Sequence, residues 1–245
     1  MVRALLGRAK ERREANAFVV EGVRLVEEAV HSNWGFRLAL FDETLSERGR
    51  SQVEGLKSRG VEVEMVSESV MKSLSETEAP QGLLAVLEFI QLPITDHLNF
   101  VLIPDQIRDP GNLGTLLRSA AATGVQAVLL PPETTDAFAP KVVRSAMGAH
   151  FHLPIHSMSW EEIKDKTGGL QIHLADMDGP SCWETDLRQP LALIVGGEAE
   201  GASTEARKYM TRKISIPMVG NIESLNAGVA GSVLMFEVVR QRNHG

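Results

Sequence analysis

Four apolar runs in the second half of the chain leave few folds open: FVLIPD (100–105), AVLLP (127–131), LQIHLAD (170–176) and LALIVGG (191–197). Each is too short for a helix, and continuous apolar runs such as LALIV need cover on both faces. Parallel strands between helices meet that need. Helical patterns separate the runs, among them PGNLGTLLRSAAATG, which Pro110 opens and Gly124 closes, and a helix near 140–147. FHLPI (151–155) and KISIPM (213–218) extend the set of strands, and an apolar helix ends the chain. The first half alternates in miniature. FVVEG (18–22), RLALF (37–41), VEVEMV (61–66) and GLLAVLEF (82–89) read as strands, while Val23, Val26 and Val30 share one helical face. Leu92-Pro93-Ile94-Thr95-Asp96 breaks the periodicity between the halves. The chain therefore reads as α/β, with a small α/β module over residues 1–92 and a parallel-sheet domain over 98–245.

In open α/β sheets, ligands collect beyond the carboxyl ends of the strands. Three loops of the second half lie there: DQIRDPGNLGTLLR (105–118), GGEAEGAS (196–203) and the stretch after ISI that contains Ser224-Leu225-Asn226. A hydroxyl and an amide directly before an apolar helix have two readings. They cap the orphan amides of the first turn, or they face a ligand. GGEAEGAS lacks the lysine of a phosphate-binding Gly-x4-Gly-Lys-Ser/Thr loop, and no strand is followed by Gly-x-Gly-x-x-Gly. Glu198 and Glu200 would repel a pyrophosphate, so the loop suits a neutral or cationic ligand such as S-adenosylmethionine, or is a turn with solvated acids. Arg118, six residues after Asn112, either packs its stem over an apolar surface or reaches into a cleft to grip phosphate. Spacing leaves both open.

Other chemistries find less support. His150, His152 and His156 lack a nearby carboxylate to complete a metal set and read as structural, so no metal is expected. Cys182 has no Cys-His-Asn context, and neither Ser203 nor Ser224 sits in a Gly-x-Ser-x-Gly elbow. No apolar run approaches the roughly 18–20 residues of a membrane-spanning helix, and the amino terminus lacks the apolar stretch of a secretory signal. A single cysteine fits a reducing cytoplasm. The formal net charge of −7 argues against nonspecific nucleic-acid binding. Even so, Arg3, Arg8, Lys10, Arg12 and Arg13 crowd the start, and Arg207, Lys208, Arg212 and Lys213 cluster later. Phosphate contacts need such local patches rather than a high overall pI, although a solvated helix face would look the same.

Taken together, DPGNLGTLLRSAAATG, LALIVGGEAEGAS and ISIPMVGNIESLNAGVAG resemble, in order and spacing, the three motifs of the SpoU family of the SPOUT superfamily, which are RNA 2'-O-ribose methyltransferases. The resemblance covers roughly residues 98–242. FVVEGVRLVEEAV and EAPQGLLAVLEF are similar to the substrate-binding domain fused to rRNA-modifying members. The resemblance implies a parallel-sheet SPOUT domain with a deep trefoil knot near residues 190–230, where S-adenosylmethionine binds. It places Gly196, Ile216 and Leu225 at the adenosyl group and Gly197, Gly201 and Met218 on the same loops. It assigns Asn112, Arg118, Glu198, Ser224 and Asn226 to the reaction site, and it implies a homodimer joined through the last helix. Structured RNA is the implied partner, rRNA ahead of tRNA. Ala227 and Gly228 stand where larger residues are common in the family, so a looser start to the last helix is expected. The alternatives are a noncatalytic RNA-binding or ribosome-assembly factor on the same fold, a tRNA 2'-O-methyltransferase, and an antibiotic-resistance enzyme with the same chemistry.

Overall fold

In the computed structural model, α1 (Val2–Gly7) and α2 (Ala9–Ala15) lead into β1 (Ala17–Glu21), whose first four residues are all buried. All residues are described except Glu76, Glu78, Ala199, Glu200, Glu223, His244 and Gly245. There follow α3 (Val23–His31), β2 (Phe36–Phe41), α4 (Glu47–Ser58), β3 (Glu62–Met65), α5 (Glu68–Leu74) and β4 (Leu83–Glu88). The Ser46 and Ser67 hydroxyls cap α4 and α5 by accepting the Gly49 and Val70 amides. The four strands form one sheet in the order β1-β4-β2-β3, with β4 antiparallel to both neighbours and β2 parallel to β3. Leu5, Val19, Leu40, Met71, Leu84 and Val86 pack as its core. Arg12 belongs to that interior rather than to a basic surface. It is 4% exposed, and its Nη1 donates to the Leu5 carbonyl at 2.6 Å, tying α2 back onto α1. Arg3, Arg8, Lys10 and Arg13 remain exposed.

The longer sheet begins with β5 (Phe100–Asp105), all six residues of which are buried. Next come α6 (Pro110–Ala122), β6 (Ala127–Leu130), α7 (Pro140–Ala146), β7 (Ile155–Ser157), α8 (Trp160–Lys166), β8 (Gln171–Ala175), β9 (Leu191–Gly196), α9 (Thr204–Tyr209), β10 (Arg212–Ile214) and α10 (Ala227–Asn243). The strand order is β10-β8-β9-β5-β6-β7, and every pair is parallel. Val101, Ile103, Leu129, Ile172, Leu174, Ala192 and Ile194 pack with Ile163 of α8 and Ala206 of α9 on one side. The continuous apolar runs thus get the two-sided cover they require, since α10 also packs on β9 and along α6.

Chain contacts divide the protein into two compact units, Met1–Ile90 with Phe138–Phe151, and Gln91–Ala137 with His152–Gly245. Segment 138–151, which the sequence reading places inside the larger domain, packs with the first unit. Its Phe138 ring lies 5.1 Å from Phe18 and 4.2 Å from Phe89, and its Phe151 ring lies 5.2 Å from Trp34. These aromatic contacts, with Val142 and Val143 buried beside them, hold the segment to the first unit. The expected strand over 151–155 is absent. Ala149–Phe151 is a 3-10 turn and β7 starts only at Ile155, because Pro154 has no N–H to donate to a ladder. His150 is buried against the Phe18 and Phe138 rings, whereas His156 bonds Gln91 and the Leu92 carbonyl. Among the described residues, no group of three His, Cys, Asp or Glu side chains could hold a metal, and no helix is long and apolar enough to cross a membrane.

Small residues set the fit of α10. A Cβ on Gly228 would lie 3.2 Å from Thr115, and one on Gly231 would strike Leu116. Ser232 meets Ser119 at 2.7 Å between hydroxyl oxygens. Gly228 therefore allows α10 to lie close against α6, and the helix runs unbroken for 17 residues from Ala227. The connection before β9 runs alongside the chain leaving β10, parallel to it at Ser181 and Ser215. Cys182 N donates to the Ser215 carbonyl and Ser215 N to the Pro180 carbonyl, each at 2.8 Å. Cys182 itself is fully buried, and burial pushes its thiol up to about 11. The thiol should therefore stay protonated and inaccessible in the native protein. At pH 8 a disulfide reagent should label Cys182 only after denaturant is added; complete labelling of the native protein within minutes would show this segment to be open.

Candidate functional site

Residues from three loops meet at one point. Glu198, just past β9, accepts the Asn112 side-chain amide at 2.7 Å and the Asn226 side-chain amide at 2.7 Å on the same oxygen, Oε1. The Ala227 backbone N–H approaches that oxygen at 3.4 Å, and Asn226 Nδ2 also donates to Asn112 Oδ1 at 2.8 Å. Asn112 is held there because Asp109 caps α6, its Oδ1 accepting the Asn112 amide at 2.8 Å. Asn226 meets the first of the two readings that the sequence leaves open, the helix cap. Its Oδ1 accepts the Val229 amide at 3.1 Å as a helix cap, while its Nδ2 joins the cluster.

Beside this cluster lies a cavity of about 510 Å³, within the range of small-molecule sites. Its walls include Gly196, Gly197, Gly201, Ile216, Met218 and Leu225, all six of the positions expected at a cofactor. Glu198, Ser224 and Asn226 also line it. Val195, Ile214, Ala230 and Leu234 give it an apolar floor. Glycine is required where backbones approach one another. A Cβ on Gly196 would lie 2.6 Å from the Ala202 nitrogen, and one on Gly197 would overlap the Gln106 carbonyl. Gly197 and Gly201 exchange two backbone hydrogen bonds at 3.0 and 3.1 Å, and Gly201 has φ +70°, which disfavours other residues. Glu200, the second acid of that loop, lies outside the described residues.

Arg118 is not among the lining residues. It is exposed on α6 and has no hydrogen bond or ion pair among the described residues. Asn112 lines a smaller neighbouring hollow of about 130 Å³ that shares Gly197, Glu198, Gly201 and Ala227 with the main cavity. Ser224 is exposed and likewise without a described partner.

Three charged residues stand at the site without having been expected there; of these, Arg207 reads from sequence only as part of a basic cluster. Asp105 ends β5 fully buried, and its Oδ2 accepts the Ser203 amide at 2.6 Å, pinning the end of the Gly-rich loop to the central strand. Burial pushes its carboxyl above the ordinary range against the pull of the Ser203 hydrogen bonds. Asp176, after β8, and Arg207, on α9, line the cavity and pair at 3.0 Å. Burial works to raise the Asp176 carboxyl, but the Asp178 amide, Lys213 and Arg207 outweigh it and hold it below its usual value. A strand-terminal acid was the available signal for both carboxylates.

Residues 99–236 match the SpoU rRNA Methylase family, and residues 1–85 match the MRM3-like substrate binding domain. The chain is 36% identical over 233 residues to the 23S rRNA (guanosine(2553)-2'-O)-methyltransferase RlmP of Bacillus subtilis, covering 94% of this chain and 91% of that protein. The SpoU methyltransferase AviRb of Streptomyces viridochromogenes, solved in complex with AdoMet, superposes with a TM-score of 0.84 at 31% identity, covering 100% of this chain and 98% of that one. An AdoMet-bound rRNA methyltransferase of Sinorhizobium meliloti gives a TM-score of 0.85 at 28% identity over 98% of this chain and 92% of that one.

The close approach at Gly196 carries a direct expectation. Gly196→Ala drives a methyl group into the Ala202 backbone and should destabilise the protein by about 1–3 kcal/mol, the usual cost of overpacking. Thermal melts of the two proteins measure this, and an unchanged melting temperature would mean that the two backbones are not in contact.

Proposed function

The chain belongs to the SpoU rRNA methylase family, and from that premise we propose that it transfers a methyl group from S-adenosylmethionine to a ribose 2'-hydroxyl of structured RNA, most specifically rRNA. The observation that carries this reading is the convergence of six expected cofactor residues on one cavity with the Asn112–Glu198–Asn226 cluster at its edge. An apolar floor suits an adenine ring. A carboxylate at the rim suits a cationic donor and repels a pyrophosphate. The match of residues 1–85 to a substrate-binding domain supports RNA capture by the first unit, and the names of the relatives favour rRNA over tRNA. A single buried cysteine is in keeping with a reducing cytoplasm.

The bound donor supplies an electrophilic methyl group on a sulfonium, whose departure as a neutral thioether needs no acid. The difficulty therefore lies in alignment, to which proximity contributes on the order of 7–11 kcal/mol. Asn112, Ser224 and Asn226 orient the ribose, and Glu198 fixes both amides. Arg118, whose guanidinium offers a planar fork of donors, acts as a clamp on the phosphate next to the target ribose and stabilises charge developing on the attacking oxygen. Arg118 does not line its own chain's cavity, so it completes the site of a second copy. The apolar face of α10 supports such a homodimer, since Val229 is 47% and Phe236 53% exposed. A knot near residues 190–230 is part of the same reading. It is supported by the pairing of the chain after β10 with segment 180–182, and by Gln241 of α10, which donates to the Cys182 and Thr185 carbonyls at 3.1 Å.

Arg118→Ala should abolish methyl transfer and leave donor binding intact. Asn226→Ala should also be inactive. Mixing the two after joint refolding should restore activity, because a hybrid dimer contains one site with an intact cavity and a partner's Arg118. A mixture as inactive as its parents would place Arg118 in its own chain's site. For RNA capture, Arg8→Glu with Arg13→Glu should weaken rRNA-fragment binding and flatten its salt dependence without changing donor affinity. Unaltered RNA affinity would move the binding face away from α1 and α2.

A further inference from the structure

The cavity has a second charged feature, on the side of β8 and β10 rather than β5. Arg207 reaches over the Gly-rich loop, and two of its three nitrogens are fixed by the protein. Nε donates to the Ala202 carbonyl at 3.2 Å, and Nη1 donates to Asp176 Oδ2 at 3.0 Å. Asp176 is itself anchored, its Oδ1 accepting the Asp178 amide at 3.1 Å and its Oδ2 meeting Lys213 Nζ at 3.1 Å. The third nitrogen, Nη2, has no partner among the described residues. It stands over Gly201, where even a Cβ would come within 3.2 Å of it. A guanidinium fixed at two corners and open at the third is preorganised to donate to an anion. The Asp176 carboxylate is balanced by two cations, Arg207 and Lys213.

We infer that Arg207 Nη2 receives the carboxylate of the methyl donor's amino-acid tail, with Asp176 as the positioning residue that aims it. The inference rests on the methyl-donor reading of the cavity and deepens it by assigning the donor's two charged ends. The sulfonium faces the Glu198 side, where the ribose arrives, and the tail extends toward Arg207. Gly201 then has a second role besides its positive φ: a side chain there would fill the space between the guanidinium and the tail. The arrangement also separates the donor from its fragments, because an adenosyl thioether without the tail leaves Nη2 unused.

The test is titration calorimetry on the full chain with S-adenosylmethionine, S-adenosylhomocysteine and 5'-methylthioadenosine. The last two are both neutral thioethers, so their comparison isolates the tail. Arg207→Met should weaken the first two by about tenfold or more, as expected for a lost charge-assisted hydrogen bond, and leave the third within about twofold. Arg207→Lys should recover part of the loss. Unchanged affinities in Arg207→Met overturn the assignment, and so does an equal loss for all three ligands, which would make Arg207 a structural staple. Wild-type protein that binds none of the three would instead overturn the methyl-donor reading itself.

Discussion

One oxygen of Glu198 accepts the side-chain amides of Asn112 and Asn226, and through it three distant parts of the chain share a single point. Asn112 and Asn226 are 114 residues apart, yet their side chains also bond one another at 2.8 Å. Each loop comes with its own local fastening. Asp109 caps the first, reciprocal Gly197–Gly201 bonds close the second, and Asn226 caps the helix that ends the third. The carboxylate then needs only to join three preformed pieces. A buried anion without donors would be costly, whereas this one sits at the rim with two amide groups and the first turn of α10 around it.

The parallel sheet is what brings those pieces within reach. β5 and β9 are adjacent and in register from Phe100 opposite Leu191 to Asp105 opposite Gly196, so their loops emerge side by side. β10 lies beyond β8, and its continuation must cross back to reach α10 on α6. Ile214, Ile216 and Leu225 of that stretch share the cavity wall with the Gly-rich loop. In the proposed reaction the cavity holds the donor while Arg118, exposed on α6 and without a partner among the described residues, approaches from a second copy.

Much of this was legible in the sequence. Strand β5 coincides with FVLIPD, and α6 begins at Pro110, because an uninterrupted apolar run and an Asp-Pro start carry their own physical signatures. The cavity residues were legible only through the order of three motifs, as no local pattern ties Gly196 to Leu225. Segment 138–151 was not legible. Its helix is plain from composition, but which sheet it covers depends on Phe18, Trp34 and Phe89 finding Phe138 and Phe151, contacts that span more than a hundred residues for Trp34 and Phe151. Arg12 read as one more surface cation, and only the fold reveals that the Leu5 carbonyl takes its proton donor inward. The Asp176–Arg207 pair was hidden for the same reason, being 31 residues apart on a strand end and a short helix.

The central claim is that the turns after β5, β9 and β10 together enclose one methyl-donor site. A crystal structure of the full chain with S-adenosylhomocysteine addresses it most directly. The account predicts the adenosyl group between Gly196–Gly201 and Ile216–Leu225, with its sulfur turned toward Asn226. Density for the ligand anywhere else, or an empty cavity in protein shown to bind it in solution, would contradict the account.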